Sequence, residues 1–393
     1  MIPYGRQSIS QGDIDAVVAV LRSDFLTQGP AVPAFEKAVA ERVGAQHAIA
    51  VNSATSALHI ACLALDLGPG DHLWTVPNTF LASANCARYC GADVGFVDID
   101  PGTWNMSADD LARRLEIAAR EGTLPKAIVP VAFGGQSCDM RAIKALADRH
   151  GVAVIEDASH AVGGRYAGRP IGCGEFADIT VFSFHPVKIV TTAEGGMAMT
   201  NDHRLATRMQ LFRSHGMTRD AALMEGASEG DWYYEQIELG YNYRMTELQA
   251  TLGLNQLKRL NEFVERRHRI AARYAAMLAG LPLAAQQPLA DAHSALHLYP
   301  VRLDDTARRR DVFDALRGSG VGVNVHYIPV HLQPYYRRLG FRRGDFPNAE
   351  AYYAGAITLP MYPDLTEAMQ DQVVDALRNV LGARTAGAAR GHV

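Results

Sequence analysis

The chain has 393 residues, of which 48% are hydrophobic and 20% are charged, a balance typical of a folded globular protein. Its formal net charge of −4 predicts no general attraction to nucleic acid. The sequence has neither an apolar run long enough to span a membrane nor a basic segment followed by an apolar stretch, so we expect a cytoplasmic protein without a membrane partner.

Segments with strand and helix character alternate through the first half of the chain. The strand-like runs lie near 47–52, 72–76, 93–98, 126–132, 152–157, 178–184 and 195–200. Such alternation predicts an α/β fold with a mostly parallel sheet.

The second half has a different pattern. From Leu252 to Leu278 apolar residues recur at helical spacing, which predicts one long connecting helix. The length favours two domains. We predict a large cofactor-binding α/β domain over 1–255, a small C-terminal α+β domain over 256–383 and a disordered tail over 384–393.

The segment AIAVNSATSALHIACLAL (48–65) reads as a short strand that passes into a helix. Ser53, Ala54 and Thr55 would form the first helical turn, where unpaired N–H groups and a partial positive charge can hold a phosphate. Simple capping of the helix by Asn52 or Ser53 is the alternative interpretation.

A carboxylate follows the predicted strand at 152–157. The segment GVAVIEDASHAVGG (151–164) ends its apolar run in Glu156 and Asp157. A carboxylate there could keep the pyridine nitrogen of pyridoxal phosphate protonated, so that the ring accepts electrons. The alternative interpretation is that Asp157 caps a helix starting near Ala158, and the two roles are compatible.

Lys188 lies in a loop after the buried strand predicted from DITVFSF (178–184). Ligands of open α/β sheets bind beyond the carboxyl ends of the strands, so an amine there is a candidate Schiff-base former. An ordinary solvated lysine is the alternative on position alone.

The five cysteines are odd in number, which argues against a disulfide framework. Cys86 and Cys90 are four residues apart, but no second Cys or His pair has zinc-site spacing, so no metal site is predicted. The cysteines are predicted to be small core residues.

The motifs NSATSAL, SHAVG, FSFHPVK, TTAEGG, YNYRM and NVHYIPV together resemble the DegT/DnrJ/StrS family of pyridoxal-phosphate sugar aminotransferases. The resemblance covers nearly the whole chain. It implies a fold type I aminotransferase architecture and pyridoxal 5'-phosphate as the cofactor. Relatives that carry histidine in place of the lysine act as dehydratases, so the retained Lys188 favours amine transfer.

The resemblance also implies roles for individual residues. Lys188 matches the catalytic lysine that holds the cofactor. Asp157 matches the residue that pairs with the pyridine nitrogen, and His160 matches the neighbour of that residue on the side of the cofactor's hydroxyl group. Phe80 matches the aromatic residue that stacks on the cofactor. The remaining cofactor positions match phosphate contacts and are Ala54, Thr55, Ser183 and, reaching in from the neighbouring subunit, Asn242. The matched sugar-nucleotide positions are Tyr4, Asp24, Phe25, Leu26, Thr27, Asn324, Val325, His326 and Tyr327.

Within the family, the motifs are most similar to those of enzymes of the pseudaminic acid route. This resemblance implies transfer of the amino group of L-glutamate to the C4 keto carbon of a UDP-linked 4-keto-6-deoxy-N-acetylhexosamine, in a homodimer with shared active sites. The alternatives are an aminotransferase for another nucleotide-linked keto sugar, of the bacillosamine or perosamine type, a sugar dehydratase, and a non-catalytic regulator.

Overall fold

The computed structural model describes residues 1–382, and the tail predicted over 384–393 lies outside the described residues. The α-helices of the described chain are α1 Gln11–Leu21, α2 Ala31–Val43, α3 Ala54–Ala64, α4 Ala82–Tyr89, α5 Ala108–Glu121, α6 Met140–His150, α7 His203–Arg213, α8 Glu247–Leu257, α9 Leu260–Leu278, α10 Arg309–Gly318, α11 Pro334–Arg337, α12 Pro347–Gly355 and α13 Glu367–Gly382. Short 3₁₀ helices cover Phe133–Gly135, Thr306–Arg308 and Val330–Leu332.

The strands of the same residues are β1 His47–Val51, β2 His72–Thr75, β3 Asp93–Phe96, β4 Ala127–Val129, β5 Ala153–Asp157, β6 Arg165–Tyr166, β7 Arg169–Pro170, β8 Ile179–Ser183, β9 Gly196–Thr200, β10 Met217–Thr218, β11 Glu235–Gln236, β12 Leu283–Ala285, β13 Ala292–His293, β14 Tyr299–Leu303 and β15 Ala356–Leu359.

A seven-stranded sheet with the order β1-β9-β8-β5-β4-β2-β3 forms the centre of the molecule. Every strand in it falls inside one of the seven predicted runs, so that part of the prediction is confirmed. Only β9 runs against its neighbours β1 and β8, and the other pairs are parallel. Helices cover the sheet, and β8 and β9 are buried along their whole lengths, as expected for strands with apolar residues on both faces.

The C-terminal part has its own core. The antiparallel sheet β12-β14-β15 packs with α9, α10 and α13 around buried aliphatic and tyrosine side chains. Ile2 belongs to this core, and its backbone N–H donates to the Gly320 carbonyl at 2.8 Å. The smaller α+β part is therefore present, and the first residues of the chain pack against it. The exact domain boundaries stay a prediction.

The prediction of one helix from Leu252 to Leu278 is wrong, because α8 and α9 are separate helices. The last turn of α8 tightens, since the N–H groups of Lys258 and Arg259 donate to carbonyls three residues earlier. Arg259 leaves the helical region at φ −97° and ψ 5°, and its guanidinium lies 4.6 Å from the centre of the Phe263 ring. Leu260 and Phe263 are then buried as the first inward-facing residues of α9.

Among the described helices, none combines the length and apolar character needed to cross a lipid bilayer. The carboxyl ends of β1, β5 and β8 point to one edge of the large sheet, because these strands run in the same direction. Ser53, Asp157 and Ser183 all lie at that edge.

Candidate active site

A cavity of about 370 Å³ lies at the carboxyl edge of the large sheet. Most of the residues predicted to form the site line it. They are Tyr4, Ala54, Thr55, Phe80, Asp157, His160, Ser183, Lys188, Asn324, Val325, His326 and Tyr327. These residues come from six separate stretches of the chain, and the sheet topology and the packing of the C-terminal part bring them together.

The Lys188 side chain lies in the cavity wall, and its Nζ has no hydrogen-bond or ion-pair partner among residues 1–382. Burial lowers the pKa of Lys188 to about 8, although the attraction of Asp157 acts in the opposite direction. At pH 7 about a tenth of this amine is therefore unprotonated, far more than for an ordinary lysine, and the unprotonated form is the one that attacks a carbonyl carbon or accepts a proton.

Asp157 is buried at the end of β5 and is held by two donors. Ser83 Oγ on α4 donates to Asp157 Oδ2 at 2.7 Å, and the Ser159 N–H donates to Oδ1 at 3.1 Å. Thr79 and Ser83 are joined through their hydroxyls at 2.8 Å. The carboxylate thus faces the cavity in a fixed orientation. No helix begins after Asp157, so the alternative role as a helix cap is not seen.

The first turn of α3 forms another part of the wall. Ser53 caps the helix by accepting from the Ser56 N–H at 3.1 Å, as the capping interpretation expected. Ala54 and Thr55 begin the helix, so their N–H groups have no intrahelical acceptor. A Cβ added to Gly196 on β9 would collide with the backbone of Ser53 and Ala54, so the glycine allows this close approach.

His160 and Tyr327 form a pair across the cavity. His160 Nε2 and the Tyr327 hydroxyl are 3.2 Å apart, and the buried Nδ1 of His160 has no hydrogen-bond partner within the described chain. Burial, reinforced by the charge of Lys188, holds the pKa of His160 well below its ordinary value. The ring is therefore neutral near pH 7 and can bind a ligand through hydrogen bonds.

Asn324 and His326 supply the part of the wall nearest the C-terminal core. His326 Nδ1 lies 2.8 Å from the Thr358 hydroxyl, and burial lowers the pKa of His326 to about 3. Tyr4 reaches the same wall because its carbonyl accepts from the Met361 N–H at 3.0 Å. The start of the chain and the C-terminal part thus both contribute to the cavity.

The other predicted residues do not line the cavity of the single chain. Asn242 is exposed, and it faces Ser214 through an isolated β-bridge. Asp24, Phe25, Leu26 and Thr27 form an exposed loop after α1, with Phe25 52% and Leu26 50% exposed.

Several residues of the cavity were not assigned by sequence reasoning. Ser159, His185, Glu194 and His297 line it, and Ser83 supports it from behind. His185 Nε2 lies 3.9 Å from a carboxylate oxygen of Glu194, and burial lowers the pKa of His185. Ser159 and His185 stand inside the motifs SHAVG and FSFHPVK, which was a usable signal, whereas nothing local in the sequence singles out Ser83 or His297.

The residues present fit a phosphorylated pyridine cofactor. The chain offers two free N–H groups at the start of α3, a fixed carboxylate at Asp157, a free amine at Lys188 and an unpartnered nitrogen on His160. A helix N-terminus binds a phosphate, a carboxylate binds a protonated ring nitrogen and an amine binds an aldehyde carbon. In the described part of the chain, no group of three or more His, Cys, Asp or Glu side chains is arranged to hold a metal ion.

Comparison with known proteins gives matches along nearly the whole chain. A model of the DegT/DnrJ/EryC1/StrS aminotransferase family matches residues 7–378. The chain is 42% identical over 386 residues to the spore coat polysaccharide biosynthesis protein SpsC of Bacillus subtilis (strain 168), with 97% of each chain covered. It is 37% identical over 384 residues to the UDP-4-amino-4,6-dideoxy-N-acetyl-beta-L-altrosamine transaminase of Campylobacter jejuni subsp. jejuni serotype O:23/36 (strain 81-176), covering 97% of this chain and 98% of the relative.

Solved structures with the same fold include two sugar aminotransferases. Helicobacter pylori PseC, described as an aminotransferase of pseudoaminic acid biosynthesis, superimposes with a TM-score of 0.89 at 30% identity, covering 97% of this chain and 99% of that one. The putative sugar aminotransferase Spr1654 of Streptococcus pneumoniae in its PMP form gives a TM-score of 0.90 at 30% identity, covering 98% and 100%.

Proposed function

The chain belongs to the DegT/DnrJ/EryC1/StrS aminotransferase family, and from this premise we propose that it transfers the amino group of L-glutamate to the C4 keto carbon of a UDP-linked 4-keto-6-deoxy-N-acetylhexosamine. The product would be UDP-4-amino-4,6-dideoxy-N-acetyl-beta-L-altrosamine, on the route to pseudaminic acid. The observation that carries the proposal is the free amine of Lys188, which shares one cavity with the fixed carboxylate of Asp157.

The chemistry class does not depend on the choice of sugar. As a family member the protein is a pyridoxal-phosphate-dependent sugar aminotransferase, and the mostly parallel sheet together with the structural neighbours confirms the fold type I architecture. When bound, pyridoxal phosphate carries the amino group and accepts the electrons released as a proton leaves the carbon beside the nitrogen.

We propose the following roles for the residues of this chain. Ala54 and Thr55 would bind the phosphate through their N–H groups, with the Ser183 hydroxyl beside them. Asp157 would stabilise a proton on the ring nitrogen. Phe80, which lines the cavity and is 58% exposed, would cover the ring by stacking.

Lys188 would act twice. Its Nζ would hold the cofactor aldehyde before the donor arrives, and the freed amine would then accept and return the proton at carbon. The lowered pKa, about 8, suits both tasks, because it lies close to neutral pH and the neutral amine is far more populated than in an ordinary lysine. His160 stays neutral beside it and would bind through a hydrogen bond without adding a competing cation.

The relatives support the choice of the sugar. The Campylobacter jejuni enzyme is named for the altrosamine product, and the Helicobacter pylori structure is described as acting in the same kind of pathway. Asn324, His326 and Tyr4 would face the sugar nucleotide on the side of the C-terminal core. The Bacillus subtilis relative, at 42% identity, is named for spore coat polysaccharide, which favours another nucleotide-linked keto sugar as the second candidate.

We propose further that two copies of the chain form a homodimer that shares its active sites. A nucleotide sugar and glutamate are both anionic, yet Lys188 is the only lysine or arginine that lines the cavity of the described chain. Asn242 and the aromatic side chains Trp232 and Tyr234 are exposed on the single chain, at 72% for Trp232 and 52% for Tyr234. Aromatic residues are enriched at interfaces, and a second copy would bury them and bring Asn242 to the phosphate.

The first test is a substrate panel. The purified protein is incubated with pyridoxal phosphate, glutamate and a set of UDP-, GDP- and dTDP-linked keto sugars, with mass spectrometry for product and NMR for the configuration at C4. We expect an amino sugar from the UDP-4-keto precursor of the altrosamine compound. Amination of a different keto sugar alone would retain the chemistry and replace the proposed substrate, and no amination in the presence of bound cofactor would contradict the function.

A further inference from the structure

A buried arginine lies behind the wall of the cavity. Arg267 on α9 is 1% exposed, and no carboxylate among residues 1–382 forms an ion pair with its guanidinium. One of its nitrogens, Nη1, donates to the carbonyl oxygens of Leu296, His297 and Met361, at 3.1 Å in each case. Its Nε is buried and has no hydrogen-bond partner in the same part of the chain. The positive charge is therefore stabilised by backbone carbonyl groups and not by an opposite charge.

This arrangement opposes folding. A cation that leaves water without a carboxylate partner is unfavourable, and an apolar side chain of similar length would avoid that desolvation. Burial lowers the pKa of Arg267 to about 9, so the guanidinium is still charged at pH 7. The neighbouring backbone is strained as well, because Leu296 has φ 53°, in the left-handed region that a leucine rarely adopts. Such departures concentrate at functional sites, and both of these meet at the backbone of His297.

The backbone that Arg267 holds carries the His297 side chain into the cavity wall. His297 lines the cavity and is only 4% exposed. Gly135 approaches the same backbone from another side, since a Cβ added there would lie 2.9 Å from the His297 nitrogen and 2.9 Å from the His160 carbonyl oxygen. The guanidinium and this close approach together fix the position of His297.

The His297 ring in turn packs against His160. The centres of the two rings are 4.6 Å apart, and His160 Nε2 lies 3.2 Å from the Tyr327 hydroxyl. Burial, with the nearby charges of Lys188 and Arg267, holds the pKa of His297 well below its ordinary value. Both rings are therefore neutral near pH 7 and pack together without charge repulsion.

A second contact of Arg267 leads to another part of the wall. The Met361 carbonyl accepts from Nη1, and the Met361 N–H donates to the Tyr4 carbonyl at 3.0 Å. Tyr4 lines the cavity, whereas Arg267 does not. One buried nitrogen thus joins the backbones of two segments that place side chains in the cavity wall.

We propose that Arg267 is a positioning residue of the cofactor site, which fixes the ring of His160 through the backbone and the ring of His297. A wall held in this way presents His160 to the cofactor in one orientation before the cofactor binds. The inference rests on the proposed role of His160 beside the cofactor, and it is independent of which sugar is aminated.

The first experiment compares two neighbouring arginines of α9. Arg267→Met removes the buried charge and the donor. The control Arg266→Met removes hydrogen bonds to the carbonyls of Pro363 and Leu365 and leaves the contacts of His297 in place. Absorbance titration of each cofactor-free protein measures the dissociation constant for pyridoxal phosphate, and thermal unfolding measures stability. We expect a dissociation constant about tenfold higher in Arg267→Met and unchanged in Arg266→Met.

Two further readouts separate positioning from a purely structural role. The visible circular dichroism of the bound cofactor, measured at saturation, depends on how its surroundings are oriented, and we expect it to weaken in Arg267→Met and not in Arg266→Met. Arg267→Lys keeps the charge and offers three donors on one nitrogen, so it should bind the cofactor more tightly than Arg267→Met. An Arg267→Met protein with the affinity and the circular dichroism of the wild type overturns the proposal.

The second experiment tests the path through His297. His297→Ala leaves the buried charge and its carbonyl acceptors in place, and we expect it to raise the dissociation constant by a factor similar to that of Arg267→Met. Adding Arg267→Met to His297→Ala should then raise it by no more than about twofold further. Wild-type affinity in His297→Ala overturns the proposal even if Arg267→Met does not fold, and losses that multiply in the double variant overturn the path.

His160→Ala separates this inference from the role proposed for His160. A loss of cofactor affinity in His160→Ala, without a loss in Arg267→Met or His297→Ala, overturns the positioning role alone. No loss in His160→Ala contradicts the role proposed for His160, and the inference fails with it. None of these measurements uses a sugar substrate, so a different keto sugar in the substrate panel leaves their outcome unchanged.

Discussion

Ser83 Oγ donates a hydrogen bond of 2.7 Å to Oδ2 of Asp157, and thereby ties the second residue of α4 to the last residue of β5. The Ser159 N–H holds the other carboxylate oxygen at 3.1 Å. A carboxylate with both oxygens occupied cannot rotate freely, so its position relative to Lys188 is fixed before any ligand binds.

Ser83→Ala should weaken cofactor binding without unfolding the protein. Hydrogen bonds to charged groups contribute about 1.5–3 kcal/mol, so we expect the dissociation constant for pyridoxal phosphate to rise on the order of tenfold or more. Absorbance titration of the cofactor-free protein measures it. The matched control is Ser107→Ala, which removes the cap of α5 far from the cavity and should lower stability while leaving cofactor affinity unchanged. Equal affinities for both variants would contradict the role given to Ser83.

The rate at which pyridoxal phosphate associates with the protein should vary with pH according to the protonation of the Lys188 amine. Because the neutral amine reacts with an aldehyde and the pKa of Lys188 is about 8, the association rate should rise with pH through a midpoint near 8 and level off above it. An ordinary lysine would give a midpoint near 10.4. Asp157→Asn should move the midpoint lower, because Asp157 raises the pKa of Lys188. Stopped-flow absorbance gives both profiles, and a higher midpoint in the variant would reverse the electrostatic argument.

The sequence was sufficient for the large sheet and for the cofactor side of the cavity. The strands of the sheet are short and mostly apolar, and parallel strands place the residues that follow them at one edge, which is why Lys188, Asp157 and Ala54 meet. Ser83 could not be predicted, because its partner is 74 residues away and a serine in a helix has no distinctive local pattern. The break between α8 and α9 likewise follows from packing of Leu260 and Phe263 and not from a helix-breaking residue.

Phe80→Ala should impair the cofactor site while barely changing stability. The Phe80 side chain is 58% exposed on the single chain, so its removal costs little buried apolar area. Stacking of an aromatic ring contributes about 0.5–1.5 kcal/mol beyond area burial, which predicts a cofactor affinity lower by roughly threefold to tenfold. Thermal unfolding of the cofactor-free protein and absorbance titration separate the two effects. The control Phe96→Ala removes one ring from a buried aromatic cluster that includes Phe341 and Phe346. This substitution should instead destabilise the fold.

Glu156→Gln should stabilise the protein at alkaline pH. Burial, with the adjacent Asp157 charge, raises the pKa of Glu156 to about 7. In the unfolded chain the pKa of this glutamate is about 4.3, whereas that of the buried residue is about 7, so the stability that its neutral form supplies is lost as pH rises from about 4.3 to about 7. The neutral amide can still accept from the Thr180 hydroxyl, now 3.2 Å from Glu156 Oε2. We expect a gain on the order of 3 kcal/mol at pH 8.5 and almost none at about pH 4. Denaturant midpoints at both pH values test this, with exposed Glu116→Gln as a control that should change neither.

If two chains share each active site, a heterodimer of two inactive variants should regain aminotransferase activity. If Lys188 and Asn242 of one active site come from different chains, a heterodimer of Lys188→Ala and Asn242→Asp chains contains one site with both substitutions and one with neither. The aspartate would repel the cofactor phosphate, so each homodimer alone should be inactive or nearly so. Coexpression with two affinity tags isolates the heterodimer, and we expect about half of the wild-type activity per dimer.

The control for that experiment is a heterodimer of Lys188→Ala and Asp157→Ala chains. Both residues line the cavity of the same chain, so every site in this heterodimer retains one defect and activity should stay at the level of the separate variants. Rescue in both heterodimers would mean that Lys188 and Asp157 of one site also come from different chains, which contradicts their position in the cavity of the same chain. Rescue in neither would place Asn242 outside the partner's site, and the positive charge that the cavity lacks for its anionic substrates would then have to come from the same chain.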